Sequence, residues 1–308
     1  MKNDNFKTDS EDSIYLAELF NEIEKDVMQK DTSTKVFREA LSFRKSSKDY
    51  IKVYTYQFTE SQGKAAFLRG NVGNVPRITE TGDTAYVNVE PIGVDIAVSD
   101  DELSAARDGE KDILRSRTMG AIEAVEATLD QLAALGKGNS TGLLNNASVG
   151  VDDLSVAGTH DGWVANSRTA IECVETIQNA IKTVRVATKG HESPDTLILP
   201  TEAWEYLQIV SDGAGTASMT GMELLKRRMP NLKIHSWSYC DNAAAGGSSN
   251  RAVVFDSRDD RVHMLMVQDV QRTPFKDEGV EGQVARCKAA SAGCIILRPA
   301  SVRYIDDL

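Results

Sequence analysis

Two extended segments, separated by a long glycine-bearing stretch, place the strongest constraint on what this chain can fold into. Residues 50–58 (YIKVYTYQF) and 85–98 are rich in β-branched and aromatic residues, which predicts strands. The roughly 25 residues between them hold four glycines and little periodicity, which is too long for a tight turn and uncommon for a loop inside a compact domain. Because a two-stranded ribbon cannot bury its faces alone, the sequence predicts a projecting arm that lies on another chain.

A long amphipathic helix is predicted directly after this arm. Ser99 and Glu102 have the spacing of a capping box, and Gly136 is a natural end for the helix. Roughly 35 residues at ~1.5 Å each give about 50 Å, longer than most globular helices. Gly109 and Gly120 weaken the pattern inside it. The predicted buried stripe consists of Ile122, Val125, Leu129 and Leu132.

The rest of the chain alternates helical and extended patterns. Helices are predicted at residues 167–187, around 204–207 and at 221–228, and the first of them should bury Ile171, Val174, Ile177, Ile181 and Val184. Strands are predicted at 196–199, 232–238, 283–290, 294–297 and 302–305, with a hairpin of 252–255 and 262–267 around SRDD. Residues 136–148 are predicted to be a helix-ending loop, since GxxxxGK[ST] is absent. Residues 211–220 and 241–250 are predicted loops.

Composition and charge exclude several classes of protein. The chain has 308 residues, with 35 Lys+Arg against 46 Asp+Glu and a net charge of -11, which disfavours tight binding to phosphate backbones. No apolar run is long enough for a membrane helix, and the polar N-terminus lacks the pattern of a signal peptide, so we expect a cytoplasmic site of synthesis. The four cysteines and four histidines are scattered, which predicts buried thiols and no metal site. Residues 13–30 form an amphipathic pattern that could dock on their own subunit or on a neighbour.

Several short segments, specific only in combination, resemble one family of viral shell proteins. They are PIGVDIAV at 91–98 followed by SDDEL at 99–103, LAALG at 132–136 followed by GLLN at 142–145, PDTLILP at 194–200, WEYL at 204–207 and LRPASVRYI at 297–305. In this order the chain resembles a tailed-phage major capsid protein of the Hong Kong 97-type fold, which is related to the encapsulins. The resemblance covers nearly the whole chain after about residue 35.

The resemblance implies an α+β fold in five parts. Transferred to this sequence, they are an N-terminal arm (1–48), an extended β-hairpin loop with its strands (49–98), a peripheral domain with a long spine helix (99–144), an α/β axial domain (145–280) and C-terminal strands that return to the peripheral domain (281–308). It also implies a structural protein that forms hexamers and pentamers of an icosahedral shell in the virion. Double-stranded DNA would be held inside by weak contacts, and assembly would occur in the host bacterial cytoplasm with a separate scaffolding protein and a portal.

Charge patterning suggests which surfaces meet between subunits. Residues 41–87 hold seven basic and four acidic residues, whereas residues 94–130 hold ten acidic and four basic ones. A basic extended loop and an acidic spine would attract each other between chains. The predicted loop contacts are Lys52, Lys64, Phe67, Arg69 and Arg77. The predicted spine contacts are Glu102, Asp108, Glu110 and Asp112, and the loops expected near the capsomer axis contain Asp212, Gly213, Asn242 and Gly246.

Alternatives remain open at this point. An encapsulin-type compartment would share the fold but enclose cargo enzymes, and a minor shell or tail component would differ in copy number. A soluble α/β hydrolase would need a set such as Ser211, His235 and Asp241, but no GxSxG elbow supports it. Lys64 lies where some family members form a Lys–Asn cross-link, but the motif for that bond is absent. We therefore assign no catalytic residue and no cofactor.

Overall fold

The computed structural model describes residues 35–48, 50–62, 77–102, 104, 113–138, 140–154, 162–164, 167–212, 219–244, 249–277 and 282–308. The helix predicted at residues 13–30 lies outside these ranges. The helices are α1 (Phe37–Ala40), α2 (Ile113–Leu135), α3 (Ala170–Ala187), α4 (Thr201–Ile209) and α5 (Gly221–Arg228), with short 3-10 turns at Ser238–Cys240 and Pro299–Ser301.

The strands, in chain order, are β1 (Ser42–Lys45), β2 (Val53–Gln62), β3 (Thr79–Asn88), β4 (Glu90–Val98), β5 (Gly136–Lys137), β6 (Ser140–Thr141), β7 (Gly150–Asp153), β8 (Thr196–Leu199), β9 (Lys233–Ser236), β10 (Arg251–Phe255), β11 (Val262–Arg272), β12 (Lys276–Asp277), β13 (Gln283–Ile296) and β14 (Val302–Asp306). They form two five-stranded sheets and two isolated pairs, β2–β3 and β5–β6.

The first sheet has the order β1-β11-β13-β12, and β4 pairs with β13. The long helix α2 packs against β13 and β4 and buries Val125, Leu129 and Leu132, as the predicted stripe requires. Residues 35–45, which the sequence places in an N-terminal arm, belong to this body, because Phe37 is fully buried and β1 pairs in parallel with β11.

The second sheet has the order β7-β14-β10-β8-β9. Its central strands β8 and β10 are buried along their whole length, because both faces are covered. Leu197 and Val254 point into a core shared with α3, α4 and α5, whereas Ile198 and Val253 point into the core that contains α2. Because successive side chains point into one core and then into the other, both sets must be apolar, and these strands appear in the sequence as continuous apolar runs.

The predicted hairpin of residues 252–255 and 262–267 is wrong. β10 pairs with β8 and β14 in the second sheet, whereas β11 pairs with β1 and β13 in the first sheet. The SRDD segment therefore carries the chain from one sheet to the other. Residues 251–255 and 262–267 are buried in their separate sheets, and a short connection alone does not distinguish this arrangement from a hairpin.

Three smaller expectations also need correction. Residues 283–290 and 294–297 form one strand, β13, whose register shifts near Gly293, a residue with a φ of 77°. The stretch 85–98 divides at Val89 into β3 and β4, which pair with different partners. Ile171 lies on the exposed side of α3, while the other four predicted stripe residues are buried.

The ends of the segment around α2 follow the predicted caps. The Ser99 amide donates to a Glu102 carboxylate oxygen (3.2 Å), and the Glu102 amide donates to Ser99 Oγ (3.3 Å). Residues 105–112 lie outside the described residues, so one unbroken helix from 99 to 135 stays a prediction. At the other end Gly136 has a φ of 69°, and an added Cβ would lie 2.1 Å from the Ser140 carbonyl oxygen.

Candidate assembly surfaces

The β2–β3 ribbon is the part of the described chain that depends least on the two sheets. The strands pair antiparallel along their full length, from Val53 opposite Asn88 to Gln62 opposite Thr79. Within the described residues, neither strand pairs with any other strand, so no further strand covers either edge of the ribbon. This geometry agrees with the arm that the sequence predicts.

The two faces of the ribbon differ in burial. Near its base, Tyr54, Tyr56 and Val87 pack against a small core around Leu265, and the two tyrosine rings stack with centroids 6.3 Å apart. The opposite face carries Val53 and Tyr86, which remain 49% and 62% exposed. Residues 79–84 of β3 are exposed as well. The ribbon is therefore anchored through one face only, and its outer face offers apolar and aromatic surface.

Of the predicted contact residues of the loop, Lys52 lies at the base of this ribbon, Arg77 lies at its far end, and the other three lie outside the described residues. Lys52 has an exposed side chain, and its carbonyl oxygen accepts from the Val89 amide (2.9 Å). Arg77 is also exposed, just before β3. Lys64, Phe67 and Arg69 lie outside the described residues. All five stay predictions as interface residues.

The acidic charge near α2 is partly neutralised within the subunit. Glu102 forms an ion pair with Arg117 (2.7 Å), and this hydrogen bond holds the pKa of Glu102 below its usual value. Glu126 binds Lys35 and Arg38, each at 3.2 Å. Asp108, Glu110 and Asp112 lie outside the described residues. The net charge from the sequence therefore overstates the negative charge that the described part of this surface offers a neighbour.

Asp130 is the most buried of these acids and joins three segments. Its side chain is 1% exposed, with Oδ1 accepting from the Phe37 amide (3.1 Å) and Oδ2 from Trp237 Nε1 (2.9 Å). Burial raises the pKa of this carboxyl, while the two hydrogen bonds and nearby Lys35 oppose that shift. Asp130 thereby fixes α1 and the segment after β9 against α2.

The GLLN turn at residues 142–145 ends α2 with hydrogen bonds. The Leu143 and Leu144 amides donate to the carbonyl oxygens of Ala133 (2.9 Å) and Ala134 (3.0 Å). Asn145 Nδ2 donates to the Leu135 carbonyl oxygen, while Asn145 Oδ1 accepts from the Gly142 amide at 2.7 Å. The motif therefore satisfies helix-end carbonyl groups that would otherwise lack partners.

A buried ionic joint connects this turn to the second sheet. Arg251 binds Asp306 through Nε (2.6 Å) and Nη2 (2.7 Å), and its Nη1 donates to the Leu144 carbonyl oxygen at 2.6 Å. The guanidinium lies 4.5 Å from the centre of the Tyr304 ring, whose hydroxyl donates to the Leu143 carbonyl oxygen. Burial raises the pKa of Tyr304, which keeps that hydroxyl protonated as a donor. The joint therefore fixes the end of α2 to β10 and β14.

The predicted axial loops are only partly described. Asp212 is exposed, and its amide donates to the Met219 carbonyl oxygen (3.0 Å) across the loop. Asn242 has a φ of 56°, and its amide donates to Asn250 Oδ1 at 3.1 Å. Gly213 and Gly246 lie outside the described residues. These loops keep their predicted role as a hypothesis.

The three residues that a hydrolase would use as its catalytic set each contact a different partner. Ser211 forms a bridge with Thr220, His235 lies 3.8 Å from Glu39, and Asp241 accepts from the Thr201 amide at 2.9 Å.

All four cysteines are free and buried, as expected, and burial raises the pKa of Cys173 and Cys294 to about 12. Across the described ranges, no cluster of three or more His, Cys, Asp or Glu side chains could hold a metal ion, and no helix has the length and apolarity to cross a membrane.

Comparison with solved structures identifies the fold class of this protein. The capsid of Myoviridae phage XM1 shares the fold with a TM-score of 0.78 at 13% identity, covering 95% of this chain and 98% of that chain. Mycobacterium phage Adephagia gives 0.64 at 15% identity, with 95% and 96% covered. A virus-like particle from Pyrococcus furiosus gives 0.52 at 14% identity, with 87% and 91% covered. The fold is therefore the Hong Kong 97-type fold.

Comparison with protein families leads from this class to one family. Residues 63–308 match the major capsid protein family, which is well over half of the chain. The chain belongs to that family, and it is a structural protein of an icosahedral phage shell, located in the virion. No curated protein matches the sequence.

Asp130 and Arg251 are the residues of structural importance that the sequence did not single out. Asp130 carries a weak signal in the sequence. It directly follows Leu129 in α2, and the other buried residues of that helix are apolar. Arg251 has no such signal, because its partners Asp306 and Leu144 are distant in the sequence.

Proposed function

We propose that copies of this chain assemble into hexamers and pentamers of an icosahedral shell that encloses the double-stranded DNA of a tailed phage. The observation that carries this proposal is the β2–β3 ribbon, which is anchored through one face and exposes Val53 and Tyr86 on the other. The resemblance to tailed-phage major capsid proteins implies that the ribbon would gain a second surface by lying across the adjacent subunit.

The residues of this contact remain those that the sequence suggests. Lys64, Phe67 and Arg69 occupy the sequence between β2 and β3, and we place them in the contact with the adjacent subunit. Exposed ion pairs contribute only about 0–1 kcal/mol each, so the charges would set register while the apolar outer face supplies burial. Repetition around the shell would multiply both effects.

The proposal extends to the partners of assembly. A separate scaffolding protein would control curvature, a portal would replace one capsomer, and DNA would touch the inner surface weakly. The net charge of -11 supports weak DNA contact, because a strongly basic lining would bind the packaged phosphates tightly. Assembly would take place in the cytoplasm of the bacterial host.

The test is microscopy of the chain expressed alone and together with its presumed scaffold. Uniform closed shells in either sample would support the proposal, whereas monodisperse monomers in both would contradict it. Reversing Lys64 and Arg69 to Glu should reduce shell yield while the subunit stays folded, and normal yield would remove these residues from the contact. Copurified enzymes in place of DNA would indicate an encapsulin-type compartment.

A further inference from the structure

The parallel strands β8 and β9 give the second sheet two distinct ends. Thr196 pairs with Lys233 where both strands begin, and Leu199 pairs with Ser236 where both strands end. The helices α3 and α5 lead into the starting end, while α4 begins at the finishing end. These two ends carry opposite charge.

Four cations lie at the starting end and define a basic edge: Arg185, Lys189, Arg228 and Lys233. All four side chains are exposed, and Arg185 and Arg228 line one cavity of about 290 Å³. Arg185 donates to Ser193 Oγ and Arg228 to Gln178 Oε1, both neutral acceptors. Among the described residues, none of the four cations forms an ion pair. The nearby carboxylate of Asp195 accepts instead from Ser257.

At the finishing end lies an acidic groove of about 610 Å³ between α1, α4 and β9. Its walls carry Glu39 and Glu205, with Trp204 and Ile234 adding apolar surface. Both glutamates are exposed, and the nearest basic partner of Glu39 is His235, at 3.8 Å. Lys35 also lines the groove, but its ammonium is bound by Glu126. Two carboxylates beside an indole ring form a suitable receptor for a guanidinium or ammonium group.

We propose that the basic edge of one subunit docks into the acidic groove of the next subunit around a capsomer. This inference rests on the proposed function and adds the partner surfaces to it. Because the two patches differ and lie at opposite ends of β8 and β9, the contact is head-to-tail, which generates closed rings when the rotation between copies fits. The opposite charges steer the subunits together, and salt screens that attraction.

Two reversed variants test the contact. The edge variant carries Arg185→Glu and Arg228→Glu, and the groove variant carries Glu39→Lys and Glu205→Lys. Each variant should give about tenfold fewer closed shells than the unchanged chain, since like charges would then face each other. A chain with all four substitutions should recover assembly. A control with Lys45→Glu and Lys276→Glu, at exposed positions on strands of the first sheet, changes the net charge as much as the edge variant does and should assemble normally.

A mixture of the edge variant and the groove variant gives a sharper result. In alternating order every contact again joins opposite charges, so rings with an even number of subunits should form. An odd ring cannot alternate completely, so pentamers and closed shells should stay absent. Neither rings nor shells from this mixture, together with no recovery in the fourfold variant, would overturn the proposed docking.

The remaining outcomes separate this inference from the function itself. If the unchanged chain forms shells and both reversed variants do so equally well, the docking proposal is wrong while the capsid function stands. If the edge variant assembles normally but loses binding of linear duplex DNA in a mobility-shift assay, the basic edge is a DNA surface and the docking proposal again fails. Circular dichroism establishes folding. If the edge variant does not fold, the neutral pair Arg185→Gln with Arg228→Gln replaces it, and if the groove variant does not fold, the neutral pair Glu39→Gln with Glu205→Gln replaces it, with a smaller loss of shells expected in each case.

Discussion

The Arg251–Asp306 joint and the β2–β3 ribbon show two different ways in which this chain uses its residues. The joint is enclosed, with both side chains less than a tenth exposed and every charged group in a hydrogen bond. The ribbon keeps one face open, with Tyr86 62% exposed on a strand that has one neighbour. The joint stabilises the single subunit, whereas the outer face of the ribbon can gain burial only from another copy.

The largest expected effect comes from opening the joint. Arg251→Met leaves the Asp306 carboxylate buried without its partner, and we expect the free energy of unfolding to fall by about 3–5 kcal/mol. Urea denaturation of the purified subunit measures this loss. Arg286→Met is the matched control, because Arg286 binds Asp95 with the same two-pronged geometry at the surface, and its loss should be much smaller. Equal losses from the two variants would show that burial does not determine how much the Arg251–Asp306 pair contributes to the free energy of unfolding.

The second effect comes from Asp130, which fixes the segment before β1 to α2. Asp130→Asn replaces one accepting oxygen by an NH₂ group, so either the Phe37 amide or Trp237 Nε1 then faces another donor. We expect a loss of about 1–3 kcal/mol in the free energy of unfolding, measured by urea denaturation. Glu126→Gln, one turn earlier on the same helix, is the control and should change stability by less than about 1 kcal/mol. If Asp130→Asn left the free energy of unfolding unchanged, the two hydrogen bonds would not be needed for stability.

A smaller effect is expected at the start of α3. Thr169 caps this helix, with its hydroxyl oxygen accepting from the Glu172 amide and Glu172 binding back to the Thr169 amide. Thr169→Ala should cost about 1 kcal/mol, seen as a lower thermal unfolding midpoint. Thr183→Ala, at an exposed interior position of the same helix, is the control and should be neutral or slightly stabilising. A similar loss at both positions would contradict a specific role of the cap.

Local signals predicted much of this fold, whereas pairing between distant segments escaped them. The capping residues Ser99 and Glu102, the glycine after α2 and the bounds of β8 and α5 all follow from neighbouring residues, and the structure confirms them. The mistaken hairpin of β10 and β11 shows the opposite case, since sheet membership depends on β13 and β14 much later in the chain. Assembly surfaces are harder still to predict from the sequence. Glu102, for example, counts as a free negative charge in the sequence, but in the structure it forms an ion pair with Arg117.

A substitution on the outer face of the ribbon should have the smallest effect on the stability of the subunit but a large effect on assembly. Tyr86→Ser removes an exposed ring, so the free energy of unfolding should change by no more than about 0.5 kcal/mol. Shell yield, counted by microscopy, should nevertheless fall, because the ring supplies apolar area to the neighbouring copy. Tyr54→Ser, on the inner face of the paired strand, should instead destabilise the subunit, since that ring packs against the core around Leu265. Normal shells from Tyr86→Ser would show that the outer face stays uncovered in the shell, and the ribbon would then act through its tip alone.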